Sequence, residues 1–102
     1  MKLIMKIIKV WTTLQGFMPD GTTYDQIVKA FGEPKAQTDN FKTDVVWAGY
    51  IDEMPFTIYN YKTGKAYLEE QGKNVEAMTG SDWHIGGRDV AVVELIKKRL
   101  GL

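Results

Sequence analysis

The single histidine, His84, has the single serine, Ser81, and Asp82 beside it. Serine, histidine and aspartate perform nucleophilic catalysis when one chain of hydrogen bonds runs from hydroxyl through imidazole to carboxylate. The members of such a triad converge from separate segments. Three residues within four positions of one loop do not line up that way, so Ser81 and Asp82 are read as turn residues capping backbone amides. A metal centre needs three or four convergent ligands. With one histidine and no cysteine, only carboxylates remain. Glu69 and Glu70 are neighbours that diverge on a helix or a strand, and Asp39 and Asp44 flank a polar loop. Both pairs read as solvated surface. With 13 acidic residues in 102, some pairing is inevitable, so no acid pair of the glycosidase kind stands out. No catalytic residue, metal or cofactor is expected.

Two features point to binding instead. Gly86-Gly87-Arg88 precedes a helix start, where free backbone N–H groups attract anions. Two glycines would let a phosphate approach and Arg88 could clamp it. Against this, Asp89 is placed to cap those same N–H groups, and neither a Walker loop nor a dinucleotide fingerprint is present. The stronger feature is Phe56 to Tyr67, where Tyr59, Tyr61 and Tyr67 interleave with Lys62 and Lys65 around a turn. Tyrosine offers a large rigid contact area with a polar tip. Lysines beside exposed rings can hold phosphates while bases stack. The plain structural alternative is cross-strand tyrosine pairing on a half-solvated sheet. The candidate partner- or ligand-binding residues are therefore Tyr59, Tyr61, Lys62, Lys65, Tyr67, Trp83, His84 and Arg88. Trp83, like Trp47, also suits the core.

A chain of 102 residues, 44% hydrophobic and 25% charged, suits one α+β domain spanning 1–102. Without cysteine there is no disulfide framework, which fits a reducing cytosol. The 13 basic and 13 acidic side chains cancel, so nothing draws the whole chain to nucleic acid or to an anionic membrane. Lys2, Lys6 and Lys9 interrupt the apolar start, which argues against a signal peptide, and no apolar run is long enough for a membrane span.

The elements must place those rings. Met5 to Thr13 alternates with β-branched residues and reads as a strand, with a helix as the alternative reading. Gly16 to Gly21 carries Pro-Asp-Gly turn chemistry. Thr23 to Phe31 is a helix, with Thr23 and Gln26 as a capping box, Ile27, Val28 and Phe31 as the apolar stripe and Tyr24 at its edge. Gly32 and Pro34 end it. Asp44 to Ile51 and Pro55 to Tyr61 read as a hairpin joined through Asp52-Glu53-Met54. Val45, Trp47, Gly49 and Ile51 share one face of the first strand; Phe56 and Ile58 share one face of the second, while Thr57, Tyr59 and Tyr61 share its other face, and the sheet's open face carries Tyr59 and Tyr61 with Tyr50. Trp83 to Ile85 is one more short strand, ended by Gly86-Gly87. Asp89 to Leu100 is a helix capped by Asp89, with Val90, Val93, Ile96 and Leu100 on one side, a Glu94–Lys98 pair and Gly101 as a stop. The sum is a small antiparallel sheet of three to four strands packed by two helices on one face.

The string Thr57-Ile-Tyr-Asn-Tyr-Lys-Thr-Gly-Lys-Ala-Tyr67 followed by Trp83-His-Ile-Gly-Gly87 carries a resemblance. With Tyr24-Asp-Gln-Ile-Val-Lys-Ala-Phe-Gly-Glu-Pro34 and Lys42-Thr-Asp-Val-Val-Trp47, it resembles small proteins encoded by bacteriophages and prophages. The resemblance covers Thr22 to Gly87 and carries over no catalytic residue. A looser likeness of shape is to the fold of β-lactamase-inhibitor proteins and outer-membrane-assembly lipoproteins. There a short helix ending in Gly-x-Pro also precedes an aromatic antiparallel sheet, but with a signal peptide and cysteines that this chain lacks. A phage origin implies stoichiometric binding in the host cytosol. The partner would be a host protein or defence complex, as for anti-CRISPR proteins. The alternatives are a nucleotide sponge, holding its ligand with Lys62, Lys65, Trp83 and Arg88 and forming a homodimer if the site lies between subunits, and an assembly protein adding its N-terminal strand to a neighbour. A small nuclease ranks below these for want of a carboxylate cluster.

Overall fold

In the computed structural model, residues 1–38 and 42–101 are described; Asp39 lies outside them. The centre is a hairpin. β3 (Val46–Ile51) and β4 (Met54–Asn60) pair antiparallel from Val46↔Tyr59 to Ile51↔Met54. The turn has only two residues, Asp52 and Glu53, at φ 48° and 69°. Positive φ at both positions is the turn whose twist matches a hairpin. β5 (Trp83–Gly87) pairs with β4, and β2 (Thr13–Phe17) pairs with β5 around a bulge at Gln15. β1 (Leu3–Lys6) pairs with β3. The order is β1-β3-β4-β5-β2, antiparallel throughout.

The α+β class holds, with five strands rather than three to four and three α-helices rather than two among the described residues. The extra helix is the single turn α2 (Lys65–Leu68), between α1 (Tyr24–Phe31) and α3 (Ala91–Leu100). The extra strand comes from the N-terminus. The strand expected over Met5 to Thr13 is two strands on opposite edges of the sheet, β1 and β2, joined by residues 7–12 crossing one sheet face. The alternation misled because residues 9–12 of the crossing segment are themselves extended, with Val10 buried and Trp11 exposed. Gly16 and Phe17, expected in a loop, belong to β2.

Strand parity sets the core. Trp47, Ile51, Phe56, Ile58, Trp83 and Ile85 point to one face and are fully buried. α1 covers them with Ile27 and Phe31, and α3 with Val92 and Ile96. The capping box predicted for α1 is present: the Gln26 N–H donates to Thr23 Oγ1 at 3.2 Å and the Thr23 N–H to Gln26 Oε1 at 2.9 Å. Gly32 stops the helix at φ 85°, and its carbonyl accepts from Trp47 Nε1 at 2.8 Å. In α3 the stripe differs from expectation. Val90 precedes the first turn and is 65% exposed, so Val92 and Ile96 take the buried line. Glu94 meets Lys97 at 3.6 Å rather than Lys98.

The second sheet face carries a smaller cluster of Val10, Ala36 and Ala48 against Val46. One buried polar residue ties the two ends of the hairpin to their flanks. Asn60 Oδ1 accepts from the N–H groups of Asp44 and Val45 at 2.8 and 3.2 Å, and its Nδ2 donates to Asp44 Oδ1 at 2.8 Å. Asn60→Leu would leave two backbone donors unpaired, each costing about 1–3 kcal/mol. The expected loss is about 2–6 kcal/mol in urea denaturation; a change within error of wild type would show that water replaces the amide.

Candidate functional site

Register alone assembles a row of rings on the second face. His84 on β5 lies opposite Tyr59 on β4 and opposite Phe17 on β2. Three adjacent strands therefore place Tyr59, His84 and Phe17 side by side. The Phe17 and His84 centroids are 4.8 Å apart and edge-on, and Tyr59 and His84 are 5.3 Å apart. Tyr61, just beyond β4, leans on His84 at 5.7 Å. Lys62 lies over both Tyr61 and Tyr67, at 5.3 and 5.2 Å, and Lys42 over Tyr61 at 5.9 Å. Each is within cation–π range. Phe17, Tyr61 and Tyr67 are exposed, at 46%, 37% and 39%, while Tyr59 and His84 between them are half-buried.

Partial burial decides the charge state. Burial pushes the His84 imidazole below its ordinary value, with Asp82 pulling partly back, so the ring is neutral at pH 7. Burial, and then the neighbouring Tyr61, push the Tyr59 phenol up, so it stays protonated. The row is an uncharged aromatic strip edged by lysines.

Five of the eight sequence candidates thus meet: Tyr59, Tyr61, Lys62, Tyr67 and His84. Lys65 opens α2 on the exposed surface and joins none of these ring contacts among the described residues. Trp83 is not part of the surface. It is fully buried on the opposite face, stacked near Tyr24 and donating from Nε1 to the Met78 carbonyl at 3.4 Å. Consecutive strand residues face opposite ways, so His84 and Trp83 cannot share a site. Arg88 lies at the far end of β5, where its guanidinium covers Trp11 at 5.1 Å and its Nε donates to the Trp11 carbonyl at 3.3 Å. Phe17, Trp11 and Lys42 were missed. Strand parity would have found Phe17 had Thr13 to Phe17 been read as a strand; no local signal marks Trp11.

The glycine loop for a phosphate is replaced by strand. Gly86 and Gly87 lie inside β5, and a Cβ on Gly86 would run into the hydroxyls of Thr12 and Thr57. Asp89 Oδ1 accepts from the Ala91 N–H at 2.9 Å, as its capping role requires. Asp82 caps as expected too, accepting from the Thr79 N–H at 3.1 Å and from Lys73 Nζ at 2.9 Å. Among the described residues no group of three or more His, Asp or Glu side chains is placed to hold a metal ion, and no helix is long and apolar enough to cross a membrane.

A second feature of this face is a cavity of about 590 Å³ between the crossing segment, residues 36–38 and the β3–β4 surface. Tyr59 borders both the cavity and the ring row. No family model, curated protein or solved structure matches the chain.

The lowered His84 value has a consequence for stability. The unfolded histidine titrates near 6.5 and the folded one below it. Between those values the unfolded chain binds a proton that the folded chain refuses. The contribution is complete above about pH 6.5 and is lost as pH falls through the folded value. Urea denaturation at pH 7.5 and 5.5 should give a lower stability at 5.5, and His84→Phe should flatten that difference. An unchanged slope in the variant would place the proton uptake elsewhere.

Proposed function

We propose that this chain acts by stoichiometric binding of a partner protein through the ring row of Phe17, Tyr59, Tyr61 and His84, with Tyr67 and Lys62 at its border. The supporting observation is the exposure of Phe17 and Tyr61 on a rigid sheet, where they add nothing to the buried core. Rigid aromatic side chains dominate binding energy at protein interfaces. Lysines at the rim favour an acidic partner surface and speed encounter. The resemblance to phage-encoded proteins makes a host cytosolic protein, such as a defence complex, the expected target, inhibited by occlusion.

The test is retention of one host protein at near-equal stoichiometry from bacterial lysate, followed by affinity measurement against the purified target. Tyr61→Ala is expected to weaken that affinity by about 30-fold, the scale of an interface hot spot, with an unchanged melting temperature. A target bound equally by wild type and a Phe17→Ala/Tyr61→Ala double variant would overturn this surface.

One observation favours a second reading, assembly by strand addition: β1 is an edge strand with Ile4 and Met5 exposed. Concentration-dependent self-association in light scattering, abolished by Met5→Pro, would support it. A monomer at all concentrations would dismiss pairing between copies.

A further inference from the structure

The cavity on the second face has a chemical sign. Its floor is apolar, formed by Val46 and Ala48. Thr57 and Tyr59 add hydroxyl groups to the wall. Lys9 and Trp11 stand at the outer rim, both exposed. Among the described lining residues Lys9 is the only charged one, and no carboxylate opposes it. At about 590 Å³ the space falls within the range of small-molecule sites.

The rim is held in place. Val10 is buried against Ala36 and Ala48, and Thr12 Oγ1 shares a hydrogen bond of 2.7 Å with Thr57 Oγ1. These two anchors pin the crossing segment on either side of Trp11. Arg88 then covers the indole and bonds the Trp11 carbonyl, which fixes the ring without entering the cavity lining. Lys9 and Trp11 are two residues apart on extended chain, so they project to the same side about 7 Å from each other. A flat ring and a cation at that spacing match a ligand with an aromatic ring at one end and an anion at the other.

We infer that this cavity binds a planar heteroaromatic anion of mononucleotide size, its base against Trp11 and its phosphate on Lys9. Neutrality elsewhere in the described lining selects for a single anionic group. The site is separate from the protein-docking reading of the ring row and touches it only at Tyr59. It also differs from a nucleotide site built on Lys62, Lys65, Trp83 and Arg88, because Trp83 lies in the core and Arg88 backs the indole.

The experiment is a thermal and fluorescence titration of the whole chain with the adenosine, guanosine, cytidine and uridine monophosphates, the parent nucleosides and inorganic phosphate. Trp47 and Trp83 are fully buried while Trp11 is 63% exposed, so a quench of the exposed emission reports on Trp11. At least one monophosphate is expected to raise the melting temperature in a saturable way, because it binds only the native state, and to quench that emission. Lys9→Ala should weaken it by about tenfold, the value of one charge-assisted contact, and Trp11→Ala should abolish the quench. Both side chains are exposed, so the variants should fold. Lys98→Ala, on the exposed side of α3, should change nothing. No response to any monophosphate at about 1 mM, the weak end of specific affinity, would overturn the inference. So would nucleosides or phosphate binding as well as the monophosphates, or binding that survives Lys9→Ala and Trp11→Ala together.

Discussion

Six residues must carry the chain from one edge of the sheet to the other. β1 and β2 follow each other in sequence, yet the order β1-β3-β4-β5-β2 puts four strand spacings between them. At about 4.8 Å each, that is about 19 Å. The seven steps from Lys6 to Thr13 span at most about 23–25 Å. The segment has little slack: it bends at Ile7 and Ile8 and residues 9–12 then run extended across the second face. Extended chain alternates, so Val10 turns in to Ala36 and Ala48 and Thr12 turns in to Thr57, while Lys9 and Trp11 stay exposed at the rim of the cavity. The close pass also explains Gly86. The hydroxyls of Thr12 and Thr57 meet where its side chain would stand, and the strap could not lie this near the sheet over any other residue.

That crossing divides the second face. The strap reaches β2 at Thr13, opposite Gly87. His84, three residues back along β5, stays uncovered. One half of the face therefore becomes a half-open cavity beside the strap and the other an open strip of rings. The positions of Tyr61, Lys62 and Tyr67 depend on the buried amide of Asn60. Asn60 holds Asp44, and Asp44 Oδ2 accepts from the Ala66 N–H at 3.2 Å, at the first turn of α2. The ring row and its lysine border are thus tied to the core through one polar network. Such networks cost most when half satisfied, and here the amide's oxygen and nitrogen are both paired.

How much of this was legible depends on the reach of each signal. The capping box of α1, the hairpin and the opposed faces of Trp47 and Tyr59 are local, and the sequence pattern placed them correctly. The N-terminal strands were not legible, because residues 9–12 of the strap alternate just as a strand does. Trp83 and His84 carry a different lesson. The short strand predicted for them already implies opposite faces, so a site containing both conflicted with the fold proposed for it. The contact of Arg88 with Trp11 spans 77 residues and has no local signature. Phe17 was hidden by the turn chemistry of the Pro19-Asp20-Gly21 stretch that follows it.

Cross-strand tyrosine pairing would explain rings on a half-solvated sheet without any partner. Two features of this row go further. Its members come from β4, β5 and β2, so the strip is fixed by backbone hydrogen bonds on both sides of His84 rather than by the rings themselves. Lys62 is laid across two rings, so part of its rotamer freedom is already spent. Ordering side chains is a main cost of association, and a strip whose rings and cations are already placed loses little on binding. A surface serving only solubility would gain more from mobile, hydrated lysines and from polar residues in place of Phe17 and Tyr61. The arrangement fits the proposed binding of a partner through this strip.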